Sequence, residues 1–211
     1  MKPARRRFAL LRALVMLVLA PLAARALPTA AQIKTAFNAV DASHNGVISA
    51  EEWDQASFAL FRAADKNNDD TIDREELGAS TIAPDTFLRA DLDRNERLSV
   101  GEFSEQRRAL FQTCDIDRND FLSASEFELF IVMERVGWLD ANQNNRIELS
   151  ELTSSLVRAF GELDTDRDST LSEAEAGYMR PAAFKRFDAN RDGTLSRDEF
   201  VDGYRNEMLL G

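Results

Sequence analysis

Residues 188–199 read Asp188-Ala189-Asn190-Arg191-Asp192-Gly193-Thr194-Leu195-Ser196-Arg197-Asp198-Glu199. Side-chain oxygens stand at positions 1, 3 and 5, glycine at 6, an aliphatic residue at 8 and glutamate at 12. A hard divalent cation taking six to eight oxygens at about 2.3–2.6 Å accounts for each of these positions. A loop curling round such an ion points alternate side chains inward. Positions 1, 3 and 5 donate side-chain oxygen and position 7 a backbone carbonyl. Position 9 acts directly or through water, and Glu at 12 closes the shell with both oxygens. Position 8 faces away from the ion into the core.

Working outward, the same twelve-residue pattern occurs seven times, at 41–52, 65–76, 91–102, 115–126, 140–151, 164–175 and 188–199, with starts 24 to 26 residues apart. The candidate ligands of the first loop are Asp41, Ser43, Asn45, the carbonyl of Val47, and Glu52. The second offers Asp65, Asn67, Asp69, the Thr71 carbonyl, Asp73 and Glu76. In the third they are Asp91, Asp93, Asn95, the Arg97 carbonyl and Glu102, and in the fourth Asp115, Asp117, Asn119, the Phe121 carbonyl and Glu126. The fifth has Asp140, Asn142, Asn144, the Arg146 carbonyl and Glu151. The sixth has Asp164, Asp166, Asp168, the Thr170 carbonyl and Glu175; the seventh has Asp188, Asn190, Asp192, the Thr194 carbonyl and Glu199. Position 8 is Ile48, Ile72, Leu98, Leu122, Ile147, Leu171 or Leu195. Position 6 needs a sharp turn, for which glycine is the natural residue. Only Gly46 and Gly193 supply it; Asp70, Glu96, Asp120, Asn145 and Ser169 stand elsewhere. On ligand charge and turn chemistry, loops seven, six and two rank strongest and loop three weakest.

This repeat resembles the EF-hand superfamily over essentially all of residues 27–211. The layout is similar to the acidic multi-EF-hand proteins that bacteria export. The resemblance implies an all-α fold: a tandem array of helix-loop-helix units, with β contacts of two to three residues between paired loops, and Ca2+ as the bound ion. The segments between loops carry apolar residues three or four apart, such as Trp53, Phe58 and Phe61, then Phe103, Leu110 and Phe111, then Phe127, Phe130 and Ile131. That spacing predicts mostly helical connections with a buried apolar face. Only about twelve residues separate most loops, so some helices must be shared by two loops. Pro84, Gly137 and Pro181 break three of the gaps. Loops two and three, four and five, and six and seven are therefore the expected pairs.

The N-terminal 26 residues read differently. Lys2 and Arg5-Arg6-Arg7 form a basic start, Phe8–Ala20 is mostly apolar, and Ala24-Arg25-Ala26 places small residues where a signal peptidase reads. Residues 1–26 are thus expected to be a signal peptide and the rest periplasmic or secreted. An uncleaved anchor is the alternative, and Arg5-Arg6-Arg7-Phe8 is similar to a twin-arginine motif. The formal charge is −11; without residues 1–26, which hold six basic residues and no acidic ones, it is −17. Such a surface repels nucleic-acid phosphates and anionic lipid and attracts cations. After signal cleavage no membrane or nucleic-acid partner is expected.

The single cysteine, Cys114, and the single histidine, His44, cannot build a zinc cage or a Cys-His catalytic pair. With the carboxylates assigned as ligands, no paired acids, nucleophile elbow or phosphate loop stands outside the repeats, so an enzyme is not expected. The expected role is calcium buffer, sensor or calcium-stabilised module. The alternative is a calcium-locked scaffold for a specific protein partner. Residues 27–211 contain only Met133, Met179 and Met208, which argues against a promiscuous Met-rich groove.

Overall fold

The computed structural model describes residues 27–79, 87, 90–136, 139, 141–142 and 147–210, with the side chains of 79, 134–135 and 209–210 excepted. The expected signal segment, Pro84 and Gly137 lie outside the described residues. The elements in chain order are α1 (Ala30–Val40), β1 (Ile48–Ser49), α2 (Ala50–Ala64), β2 (Thr71–Ile72), α3 (Arg74–Ala79), β3 (Leu98–Ser99) and α4 (Val100–Cys114). They continue with β4 (Phe121–Leu122), α5 (Ala124–Val136), α6 (Leu149–Leu163), β5 (Thr170–Ser172), α7 (Pro181–Phe187), β6 (Thr194–Ser196) and α8 (Arg197–Leu210). The fold is mostly helical, as the repeat implies.

The three gaps free of proline and of early glycine are each a single helix of 15 residues: α2, α4 and α6. These are the shared helices that the loop spacing requires. Each begins where a loop ends. At α2, Ser49 caps the Glu52 amide, and Glu52 returns a bond to the Ser49 amide, a reciprocal capping box. The gap between loops six and seven is different. Residues 173–178 form turns rather than a helix, and α7 starts only at Pro181, whose fixed φ suits the first helical position. The helical part of this connection is confined to α7, and the turns before it depart from the expected helix.

The chain divides into two compact units. One includes Thr35–Phe111, the other Ala26–Lys34 and Gln112–Gly211. In the first, β2 and β3 pair antiparallel, with Thr71 opposite Ser99 and Ile72 opposite Leu98. Beneath them Phe61, Ile72, Phe87, Leu98 and Phe103 form a buried cluster. Trp53 is also buried; its ring lies under the Arg107 guanidinium at 4.4 Å, and its indole N–H donates to the Arg107 carbonyl at 2.8 Å. Phe58, expected on the buried face, is instead 48% exposed, with Arg62 over its ring. Its neighbours Leu60 and Phe61 take the core positions of α2.

In the second unit, β5 and β6 pair over three residues, with Leu171 opposite Leu195. An edge-to-face aromatic chain runs Phe160–Phe200–Tyr204–Phe187, with centroids 5.9, 5.2 and 5.1 Å apart. Gly203 on α8 lies so close to Phe187 that a Cβ would meet the ring at 2.3 Å. Arg180, ending the turn segment, gives its backbone N–H and Nε to buried Glu128 at 3.1 and 3.2 Å, and pairs with Glu207 at 2.7 Å. Arg186 also pairs with Glu207, and Tyr204 donates to Glu128. This network ties the non-helical turn to α5 and α8. Ile147 and Glu148 of loop five lie in no strand, so the expected pairing of loops four and five is not formed among the described residues. Cys114 is buried, as a small apolar side chain would be. The position-8 residues, from Ile48 to Leu195, are all buried.

Candidate metal centres

One hydrogen-bond pattern recurs from loop to loop. The carboxylate at position 1 turns back and accepts from the amides at positions 5 and 6. In loop one, Asp41 receives Asn45 N at 3.1 Å and Gly46 N at 2.9 Å. Asp65, Asp91, Asp115 and Asp188 each receive the equivalent two amides at 3.1–3.2 Å. The glutamate at position 12 closes the other end. One of its oxygens accepts from the start of the loop and the other from the amide at position 9. Glu52 takes Ser43 N at 2.8 Å and Ser49 N at 3.0 Å. Glu76, Glu102, Glu126, Glu151, Glu175 and Glu199 repeat this with Lys66 and Asp73, Leu92 and Ser99, Ile116 and Ser123, Ala141 and Glu148, Thr165 and Ser172, and Ala189 and Ser196. Each loop whose turn is described is thereby folded into a ring before any ion is considered.

The backbone makes this ring with two left-handed residues. Positions 4 and 6 have positive φ in every loop whose turn is described: His44 and Gly46, Asn68 and Asp70, Arg94 and Glu96, Arg118 and Asp120, Arg167 and Ser169, Arg191 and Gly193. Glu96 at +64° and Ser169 at +72° adopt a conformation that costs a non-glycine residue about 1–2 kcal/mol. Position 4 is a second strained site, and its Arg, Asn and His residues carry no glycine to signal it.

Within this frame the carboxylates converge. Oxygens of Asp65, Asp69 and Glu76 lie within 4.8 Å of one another, as do those of Asp91, Asp93 and Glu102, of Asp115, Asp117 and Glu126, and of Asp164, Asp166 and Asp168. Two oxygens each about 2.4 Å from one ion are at most about 4.8 Å apart, so these sets fit the span of a calcium shell. Loop three, weakest by its turn residue, still gathers its acids within the same 4.8 Å span as loop two. In loop six Asp164 Oδ1 is buried with no hydrogen-bond partner, an orphan acceptor in the midst of three carboxylates. All donors are hard oxygens, which suits Ca2+ rather than zinc or copper.

Local hydrogen bonds hold several of these acids ionised. Burial pushes Glu52 up, but bonds from Ser49 and Ser43 outweigh it and bring the carboxyl to about 2. Glu175 is also held at about 2, chiefly by the Ser172 amide. Asp69 is lowered first by the Thr71 hydroxyl, and Asp192 first by the Thr194 amide. Loop four is the exception: burial pushes both Asp115 and Glu126 above the usual carboxylate range.

The side chains at position 7 diverge, as a carbonyl donor allows. Thr170 and Thr194 each donate to the position-5 aspartate of their own loop at 2.8 Å. Phe121 is exposed, and Arg97 reaches across to loop two. Asp73, a candidate ligand at position 9, has one oxygen committed to capping α3 through Glu75 N and Glu76 N, 2.9 Å each. Serine at the same position in loops one, three, four, six and seven accepts from the position-12 amide. Position 9 is thus the N-cap of the exiting helix in loops one, two, three, four and seven; in loop six the same bond opens the turn segment 173–178. Its sequence signal, Ser-x-x-Glu, was available as a capping box. Asp140, Asn144 and Arg146 lie outside the described residues; Asn142 and Glu151 are described, and both belong to the fifth ring.

An EF-hand domain-pair family model matches residues 138–205, and an EF-hand family model matches residues 33–57 and 59–79. The chain therefore carries EF-hand domains, and their cofactor is Ca2+. These segments contain loops one, two, five, six and seven. No curated protein matches the chain.

Proposed function

We propose that this chain is an exported calcium-binding protein whose seven loops each take Ca2+ through the side-chain and carbonyl oxygens named above. The observation that carries this reading is the ring repeated from loop to loop, which in loops two, three and four brings oxygens of the position-1 aspartate and the position-12 glutamate within 4.8 Å of each other. Calcium supplies no chemistry on a substrate here. It neutralises carboxylates that the fold has crowded together at an already high negative charge.

The role favoured is a calcium-stabilised module that also buffers the ion. Met133, Met179 and Met208 are buried, and so among the described residues are the large aromatics apart from Phe58 and Phe121, which supports a closed core over an open, adaptable groove. A protein partner on a calcium-locked surface is the rival. Among the described residues no helix is long and apolar enough to cross a membrane. The basic-then-apolar start supports export and cleavage of residues 1–26, with a periplasmic or secreted product.

Calcium titration calorimetry on the mature chain, with circular dichroism before and after chelation, tests the reading. The expected result is uptake at several sites and a gain of order, with little new apolar surface by dye binding. Failure to bind calcium overturns the function. A large calcium-dependent rise in dye binding favours the scaffold or a sensor. N-terminal sequencing that still begins between Lys2 and Arg7 overturns signal cleavage.

A further inference from the structure

Loop two is the one described loop whose ligand carboxylate is bonded by a cation from its paired loop. Arg97, at position 7 of loop three, places Nη2 2.6 Å from Asp69 Oδ2 and 2.7 Å from Thr71 Oγ1; its Nε lies 3.1 Å from the same hydroxyl. Thr71 in turn donates to Asp69 Oδ1 at 2.7 Å. The guanidinium thus holds both the position-5 carboxylate and the hydroxyl that orients it. Asp65, at position 1 of the same loop, pairs with Arg62 at 3.2 Å. In the paired loops six and seven, threonine occupies position 7 on both sides. Among the described residues no ion pair falls on a ligand candidate of those two loops.

We propose that Arg97 is an intramolecular competitor for calcium at loop two, setting that site's affinity below what its four carboxylates would otherwise give. The proposal rests on the reading of Asp69 and Glu76 as loop-two ligands. Two routes lead to the same sign. Either calcium displaces the guanidinium and the ion pair with Asp69 is lost, or the guanidinium stays and a +1 charge sits beside a +2 ion. Both stabilise the calcium-free form relative to the bound form. The antiparallel register brings this about. Thr71 faces Ser99 and Ile72 faces Leu98, so the next rung would set Asp73 against Arg97. That rung is absent from the ladder, and the arginine side chain turns onto loop two instead.

The test is calcium calorimetry on the full mature chain and on three variants: Arg97→Thr, which installs the residue found at position 7 of loops two, six and seven; Glu76→Gln; and the double variant. Arg97→Thr is expected to tighten one site by about three- to tenfold at low salt. The gain should shrink in 1 M salt, where the screening length falls to about 3 Å. Glu76→Gln should remove one site, and Arg97→Thr in that background should tighten nothing. Unchanged or weaker binding in Arg97→Thr overturns the proposal, as does equal tightening in the presence and absence of Glu76 or at both salt concentrations. If Glu76→Gln removes no site, the ligand reading of loop two falls, and the proposal with it.

Discussion

The pairs formed by loops two and three and by loops six and seven share a backbone plan and differ in what surrounds it. Loops two and three meet through two-residue strands, and their acids are laced to arginines: Arg62 to Asp65 and Asp70, Arg74 to Glu96, Arg97 to Asp69. Loops six and seven meet through three-residue strands with threonines at position 7, and their acids face only amides, hydroxyls and one another. The first pair carries its own counter-ions, whereas the second leaves its charge for an external one. The same ring can therefore be tuned from outside the ligand set, by whichever side chains the paired loop presents.

The largest expected effect is that of calcium itself. Native mass spectrometry of the mature chain should find at least four ions at saturation; two or fewer would break the reading of the repeat. A site at a hundred times its dissociation constant adds about 2.7 kcal/mol, so chelation should lower the melting temperature steeply. On partial chelation the six–seven pair should keep its calcium after the two–three pair has released it, which stepwise calorimetry would resolve. Simultaneous release would erase the contrast between them.

Within the six–seven pair, Glu199→Gln keeps size but removes the charge that closes the loop. It should cost the seventh site more than tenfold in affinity by calorimetry, since each missing 1.4 kcal/mol is a factor of ten. Two further predictions concern the packing of α8, which leaves the six–seven pair. Gly203→Ala forces a Cβ against the Phe187 ring and should destabilise by about 1–3 kcal/mol in thermal melts. Glu207→Gln should cost about 1–3 kcal/mol at neutral pH by stripping a partner from Arg180 and Arg186. Burial raises the Glu207 carboxyl, but bonds from Ser125, Arg186 and Arg180 outweigh it, so it lies below its ordinary value of 4.5. A depressed carboxylate contributes stability that is complete above that ordinary value and lost as pH falls through the depressed one. The difference between Glu207→Gln and the parent should accordingly vanish in acid; a constant gap across pH would mean that packing, not charge, holds the latch.

The smallest effect belongs to Glu96→Gln. Glu96 is at the turn of loop three, and its pair with Arg74 is exposed on both sides. Calcium binding and stability should shift by no more than about 0.5 kcal/mol. A loss comparable to that of Glu199→Gln would break the division between ligand and turn positions.

Much of this molecule is local in origin and so was legible in the chain. The ligand spacing, the buried aliphatic at position 8 and the shared helices all follow from a repeat of twelve residues plus a connector too short to hold two helices. Proline and glycine marked the pairings less directly: two with three and six with seven are present, whereas among the described residues four with five is not, because Ile147 enters no strand. The capping boxes are also legible in the chain, as Ser-x-x-Glu, beneath the ligand spacing that shares their residues. What the chain could not disclose is what depends on distant neighbours. Phe58 stands three residues before Phe61 and yet faces out, because the buried stripe of α2 runs Trp53, Ser57, Leu60, Phe61 and Ala64, with Leu60 and Phe61 filling the core beneath β2 and β3. The turn after loop six abandons the helix because Arg180 finds Glu128 and Glu207 on helices 52 and 27 residues away. Arg97 reads as a residue whose carbonyl alone matters. Antiparallel pairing lays loop three against loop two and aims its guanidinium at Asp69, because charge acts through space and not along the sequence.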